Sequence, residues 1–206
     1  MLIRNEIASG DLRNVIDTIL NIPEGGNRKF CVYLNDKESD IIVRNLIIIL
    51  LATYFPNGEA SEMITHFWYS SALTPHMMAT LKEMLAPIVR EFCKDLETPS
   101  PDFKGVIISE WDVGDADTTV RVLFPEKIWR RLLAVVEGDC PCDFEAAEKS
   151  RREINVNPAS QHTRDEQDRI NFLAPPSRRL TDDKFRERGI MLPFGTPAES
   201  FIVPNP

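Results

Sequence analysis

Histidine and cysteine are scarce in this chain of 206 residues, which has 3 of the first and 4 of the second. Cys31, Cys93, Cys140 and Cys142 are too few and too scattered to frame a chain this long with disulfides, which points to a reducing, cytoplasmic or nuclear setting. Runs of paired Cys and His that would build a zinc finger are missing. Glycine is sparse, at 9 residues, and never forms the G-x-G-x-x-G run of a dinucleotide loop. No G-x-S-x-G elbow or comparable nucleophile motif occurs, so no catalytic residue is assigned. Positive charge is in deficit: 24 Lys and Arg stand against 32 Asp and Glu, a net charge of −8, which argues against a nucleic-acid surface. Long apolar runs are missing too. The longest, Leu46 to Ala52, falls far short of the roughly 20 residues that cross a bilayer, and no charged-then-apolar signal peptide opens the chain. Neither nucleic acid nor membrane is therefore expected as a partner.

What is present is an ordinary globular balance, 43% hydrophobic and 27% charged, in a chain long enough for one domain and an extension. Residues 2–8 read as a short strand, interrupted by Arg4, Asn5 and Glu6. Leu12, Val15, Ile16, Ile19 and Leu20 recur at helical spacing, with Ser9 or Asp11 able to cap the start. Phe30 to Leu34 is a continuous apolar run, the pattern of a strand buried on both faces. It stops at Asn35-Asp36. From about Ser39 to Phe55 apolar residues run nearly all round a helix, which makes it a buried central one, although its β-branched isoleucines leave a strand reading open.

Two more striped helices follow. One carries Ala60, Met63, Ile64, Phe67 and Trp68; the other carries Met78, Leu81, Leu85, Ile88, Val89 and Phe92 and is expected to kink at Pro87. "VIISEWDVGDADTTVRVLF" reads as a hairpin about an acidic turn, and "PEKIWRRLLAVVEG" as a helix with Pro125 at its start and Gly138 past its end. After Gly138 the composition changes. Residues 139–206 hold eight prolines and many charges. Polar helices are expected near 142–153 and 164–173, with the remainder an extended arm on the body.

The stretch "SGDLRN", Ser9 to Asn14, presents the candidate site. A strand, a glycine turn, a helix and a buried strand ending in an acid make the first half of a nucleotide-binding unit. Gly10 would let the backbone approach a ligand, Asp11 and the first helical amides would face it, and Asp36 stands 26 residues later, where an acid takes ribose hydroxyls. The structural alternative is favoured: Gly10 makes the turn, Asp11 caps the helix and Arg13 pairs with a neighbouring acid such as Asp36 or Glu38. Arg13 lies in a first helical turn, where the helix dipole disfavours a cation, so it needs a compensating carboxylate or an anionic ligand. Other constellations favour structure over chemistry. Cys140 and Cys142 form half a metal site at most, with His162 the one further ligand near in sequence. Asp112, Asp115 and Asp117 lack the spacing of a calcium loop. His66 and His76 read as packed or capped, Trp68 and Trp129 as core, and Arg178, Arg179, Arg186 and Arg188 as a solvated helix with internal ion pairs.

"SGDLRNVIDTI", "VYLND", "VRNLIIILLA" and "HFWYSSAL" together resemble the N-terminal domain of dynein axonemal assembly factor 3, and more closely fungal proteins that carry the same domain of unknown function, often beside a MYND zinc finger. "RRLTDDKFRERGIMLPFGTPAESFIVPNP" also resembles the fungal members. The resemblance implies that Gly10, Asp11 and Arg13 open the domain and that Asn35 and Asp36 end its second strand. It further implies a Rossmann-like architecture similar to methyltransferases, and brings no established activity. "LIRNEIA" is a weaker first strand than those relatives carry, and more chain is expected after Pro206; the sequence reads as a fragment or a short gene model.

The expectation is a three-layer α/β, Rossmann-like (methyltransferase-like) domain over residues 1–138 with a mainly parallel sheet, and an irregular C-terminal arm over 139–206. The leading function is a non-enzymatic protein-interaction or assembly module. The alternatives are an S-adenosylmethionine-dependent methyltransferase or other nucleotide-cofactor enzyme, and a piece of a larger protein whose activity lies elsewhere. If a cofactor binds, Gly10, Asp11, Arg13, Asn35 and Asp36 hold it.

Overall fold

The computed structural model describes residues 2–7, 12–21, 30–55, 57–97, 105–113, 119–139, 145–146, 149, 168–192 and 197–205. The weak first strand forms: β1 (Leu2–Ile7) pairs in parallel with β2 (Phe30–Asn35), Leu2 opposite Phe30 and Ile7 opposite Asn35. Parallel strands need a crossover, and α1 (Arg13–Leu20) lies within it. Leu12 and Val15 of that segment are buried, whereas Ile16, expected on the same stripe, is exposed.

α2 (Ser39–Tyr54) is a helix and not a strand. The Asp36 carboxylate accepts the Glu38 N–H at 3.0 Å, fixing a turn just ahead of its first residue. Val43, Leu46, Ile47, Ile48, Leu50 and Leu51 are buried along it, which makes α2 the central helix. It packs on α3 (Asn57–Tyr69) and on a helix later in the chain, Glu126–Glu137. α4 (Pro75–Phe92) starts from Thr74, whose hydroxyl accepts the Met77 N–H at 3.1 Å. The helix runs on through Pro87. Pro87 and Glu83, the residue whose carbonyl loses its donor, are both exposed, so water can satisfy that carbonyl.

A short helix, α5 (Lys94–Glu97), precedes the hairpin of β4 (Val106–Asp112) and β5 (Thr119–Pro125). Val106 faces Pro125 and Asp112 faces Thr119 in an antiparallel register. Ile107, Ser109 and Val122 point inward, while Val106, Ile108 and Leu123 are exposed. α6 (Glu126–Glu137) ends at Gly138, whose φ of 82° is left-handed. α6 packs against α4. Trp129, fully buried, meets Phe92 edge-on at 5.7 Å and Phe124 at 5.7 Å, and its indole N–H reaches the Ile107 carbonyl at 3.4 Å.

The described strands make three separate pairs. Of these only β1–β2 is parallel; a mainly parallel sheet was the expectation, but long helices, not a wide sheet, supply most of the core. The third pair joins β3 (Ala72–Leu73) to β6 (Val203–Pro204), which binds the end of the chain to its first half. The arm before β6 contains a solvated helix, α7 (Pro176–Arg188), with an ion pair of 3.8 Å between Arg178 and Asp182. Ile190, Leu192 and Phe201 belong to the same hydrophobic core as α2, α4 and α6.

Candidate functional site

Gly10 and Asp11, with the capping role given to Asp11, lie outside the described residues, as do Cys140, Cys142, His162, Asp115 and Asp117. Asn35 closes β2 and is exposed. Asp36 is half-buried and its carboxylate is engaged by the turn at Glu38. Arg13 turns to Tyr69, the last residue of α3. It donates from Nη1 to the phenol oxygen at 3.0 Å, and its guanidinium carbon lies 5.5 Å from the ring centroid. A tyrosine offers a hydroxyl acceptor and a ring face to the same group, and nothing local in the sequence announces a partner 56 residues away.

A cleft between α2, α3 and α6 is lined by Asp40, Val43, Arg44, Phe67, Arg131 and Val135. Arg131 spans it from α6, donating to Asp40 at 3.0 Å. Its volume of about 10 Å³ holds one water and is far smaller than a nucleotide-cofactor pocket. Among the described residues no group of three His, Cys, Asp or Glu is placed to hold a metal ion, and no helix is long and apolar enough to cross a membrane.

Among the described residues, the densest polar constellation is one that sequence reasoning missed. It lies at the C-terminal end of α3, where a helix leaves its last carbonyls without intrahelical donors. Asn205, nearly the last residue of the chain, is buried there. Its amide nitrogen reaches the carbonyls of His66 at 3.2 Å, Phe67 at 3.0 Å and Ser70 at 2.6 Å. Its backbone N–H donates to the Ser71 carbonyl at 2.9 Å. Ser71 in turn donates its N–H to the Gly189 carbonyl at 2.7 Å and its hydroxyl to the Arg188 carbonyl at 3.1 Å. Gly189 ends α7 with a φ of 67°, a left-handed conformation that glycine adopts without strain.

His66, only 2% exposed, sits in this constellation. Its Nδ1 lies 3.1 Å from the Ser70 hydroxyl, and its ring packs 4.9 Å from the ring of Phe201. Ser70 Oγ accepts the Met191 N–H at 3.0 Å, which leaves its own O–H to donate to a neutral imidazole. Burial holds the His66 pKa below its ordinary value, and the negative charge of Glu62 offsets this only in part. His66 is thus packed, with one hydroxyl partner and an aromatic neighbour, as the sequence reading had it.

Residues 6–73 match the model of a domain of unknown function (DUF4470). The matched stretch begins in β1 and ends on Leu73, the last residue of β3. No curated protein and no solved structure matches the chain.

Proposed function

We propose that the chain is a non-enzymatic protein-interaction or assembly module, acting in the cytoplasm, built on a degenerate Rossmann-like β1–α1–β2 start. The resemblance of its motifs to the dynein assembly factor domain and to the fungal MYND-associated proteins supports an assembly role. One observation carries the reading. Just ahead of α7, Phe172 is 79% exposed and Leu173 84% exposed, with Ile170 and Leu180 exposed nearby. Residues 168–173 are helical, so Phe172 and Leu173 stand out from a short helical segment that breaks at Pro175. Single exposed apolar residues are common, but adjacent large ones exposed to this degree mark a docking surface. Arg169, Arg178 and Arg179 flank them, so the partner is a protein with an apolar groove and an acidic rim, entered by a helical turn.

The competing reading is an S-adenosylmethionine-dependent enzyme, favoured by the parallel β1–β2 pair about a helix. One experiment separates the two. Cross-linked capture is compared for the parent and for the Phe172→Asp, Leu173→Asp double variant, and melting is followed with and without S-adenosylmethionine. The interaction module predicts a partner lost on the double substitution with no change in melting. A cofactor enzyme predicts about 2.7 kcal/mol of added stability at 100 times Kd, and capture unaffected by the substitutions.

A further inference from the structure

We propose that the edge of β3, together with the C-terminal end of α3, is a docking site for an extended peptide carrying an aromatic residue and, four positions later, an asparagine. In this chain the site is held closed by its own residues Phe201–Asn205. Three contacts define the ligand chemistry. Phe201 is buried against the His66 ring. Val203 and Pro204 add an antiparallel strand to Leu73 and Ala72, and the Asn205 N–H extends that ladder to the Ser71 carbonyl. The Asn205 side-chain amide nitrogen then lies within donating distance of the carbonyls of His66, Phe67 and Ser70 from an extended backbone. Ile202 faces solvent and carries no recognition. This is strand addition to a sheet edge, in which main-chain hydrogen bonds supply affinity and alternate side chains supply selection.

Two features make the tail a resident ligand as well as a piece of core. The stretch that matches the family model runs to Leu73 and so includes the edge that the tail fills, while the filling segment arrives from more than a hundred residues further along the chain. The contacts that select it fall on Phe201 and Asn205, inside a stretch of five residues. Attachment to the same chain gives the tail a high effective concentration, which keeps a free peptide out. Weakening the tail should therefore open the site. This inference rests on contacts separate from Phe172 and Leu173, and loss of docking there would leave it untouched.

The probe is a fluorescein-labelled peptide with the sequence PAESFIVPNP, residues 197–206, titrated by anisotropy onto the full-length chain and onto its Phe201→Ala, Asn205→Ala double variant. The variant should bind at least about tenfold tighter than the parent, because the cis competitor is removed. A peptide that itself carries the Asn205→Ala change should not bind. A variant that keeps its far-ultraviolet circular dichroism and binds no peptide, or binds no better than the parent, overturns the proposal. If the variant does not fold, a protease site placed within 193–196 of the parent is cut instead. Retention of the cut tail with replacement by labelled peptide supports the site. A cut tail that never exchanges, or that leaves and does not rebind, overturns it.

Discussion

At the scale of single residues, buried polar groups decide more than exposed charges. Neutral His66 fits its setting, and the unfolded chain binds a proton there with a pKa near 6.5. The folded pKa is lowered, so between the two values the unfolded state holds more protons and stability rises with pH. Urea melts should show full stability above about pH 7 and a progressive loss as pH falls below 6.5, until the lowered folded value is reached. His66→Gln should flatten that slope; an unchanged slope would assign it to other groups. Asn205→Ala leaves buried carbonyls without their donor, and should cost about 1–3 kcal/mol in the same measurement. Arg13 is exposed, and its contact with Tyr69 is worth about 0.5–1 kcal/mol. Arg13→Ala should lose that contribution, read as a lower urea midpoint.

At the scale of elements, legibility followed the range of the contacts that define each one. α2 was readable because a run of apolar residues this long, continued at helical spacing, can only be buried. The strand alternative fails because the turn held by Asp36 leads straight into helix. Ile48 is 1% exposed, so Ile48→Lys should cost about 4 kcal/mol or more and be visible as loss of the cooperative melt. The β4–β5 hairpin was readable from alternation about a short turn. β1 was nearly lost, because its pattern is poor and only pairing with β2 makes it a strand. β3 and β6 were not readable at all. Each has two residues, too few for any period, and their pairing joins Leu73 to Val203. The cap at Asn205 was hidden for the same reason: nothing in "VPNP" shows that an asparagine there will meet the end of a helix far back in the sequence. The candidate site at "SGDLRN" was legible as a helix entrance, and Arg13 as a residue needing compensation; that Tyr69 is one of its contacts was not.

At the scale of the molecule, the chain closes on itself. α2 packs on α3 and α6, α4 packs on α6, and residues from Gly189 to Leu192 and from Phe201 to Asn205 return to complete the end of α3 and the edge of β3. Gly189 is the pivot of that return, and Gly189→Ala would force a β-carbon into a left-handed backbone, a strain of about 1 kcal/mol or more, read as a lower melting temperature. The arm thus has two parts with different duties: Ile170, Phe172, Leu173 and Leu180 stand out to solvent, while Ile190, Leu192 and Phe201 are buried in the core. The division of the chain at residue 138 marks a change in composition, and the core extends across it.

The described residues of this last segment are as much a part of the folded core as α2, and native-state hydrogen exchange puts this to the test. The amides of Ser71, Met191 and Asn205 donate to the Gly189 carbonyl, the Ser70 hydroxyl and the Ser71 carbonyl. They should exchange in the same slow class as the amides of Ile47 to Leu51, through global unfolding. Exchange of Met191 and Asn205 within the dead time of the experiment, while the α2 amides stay protected, would show a frayed tail and contradict the account.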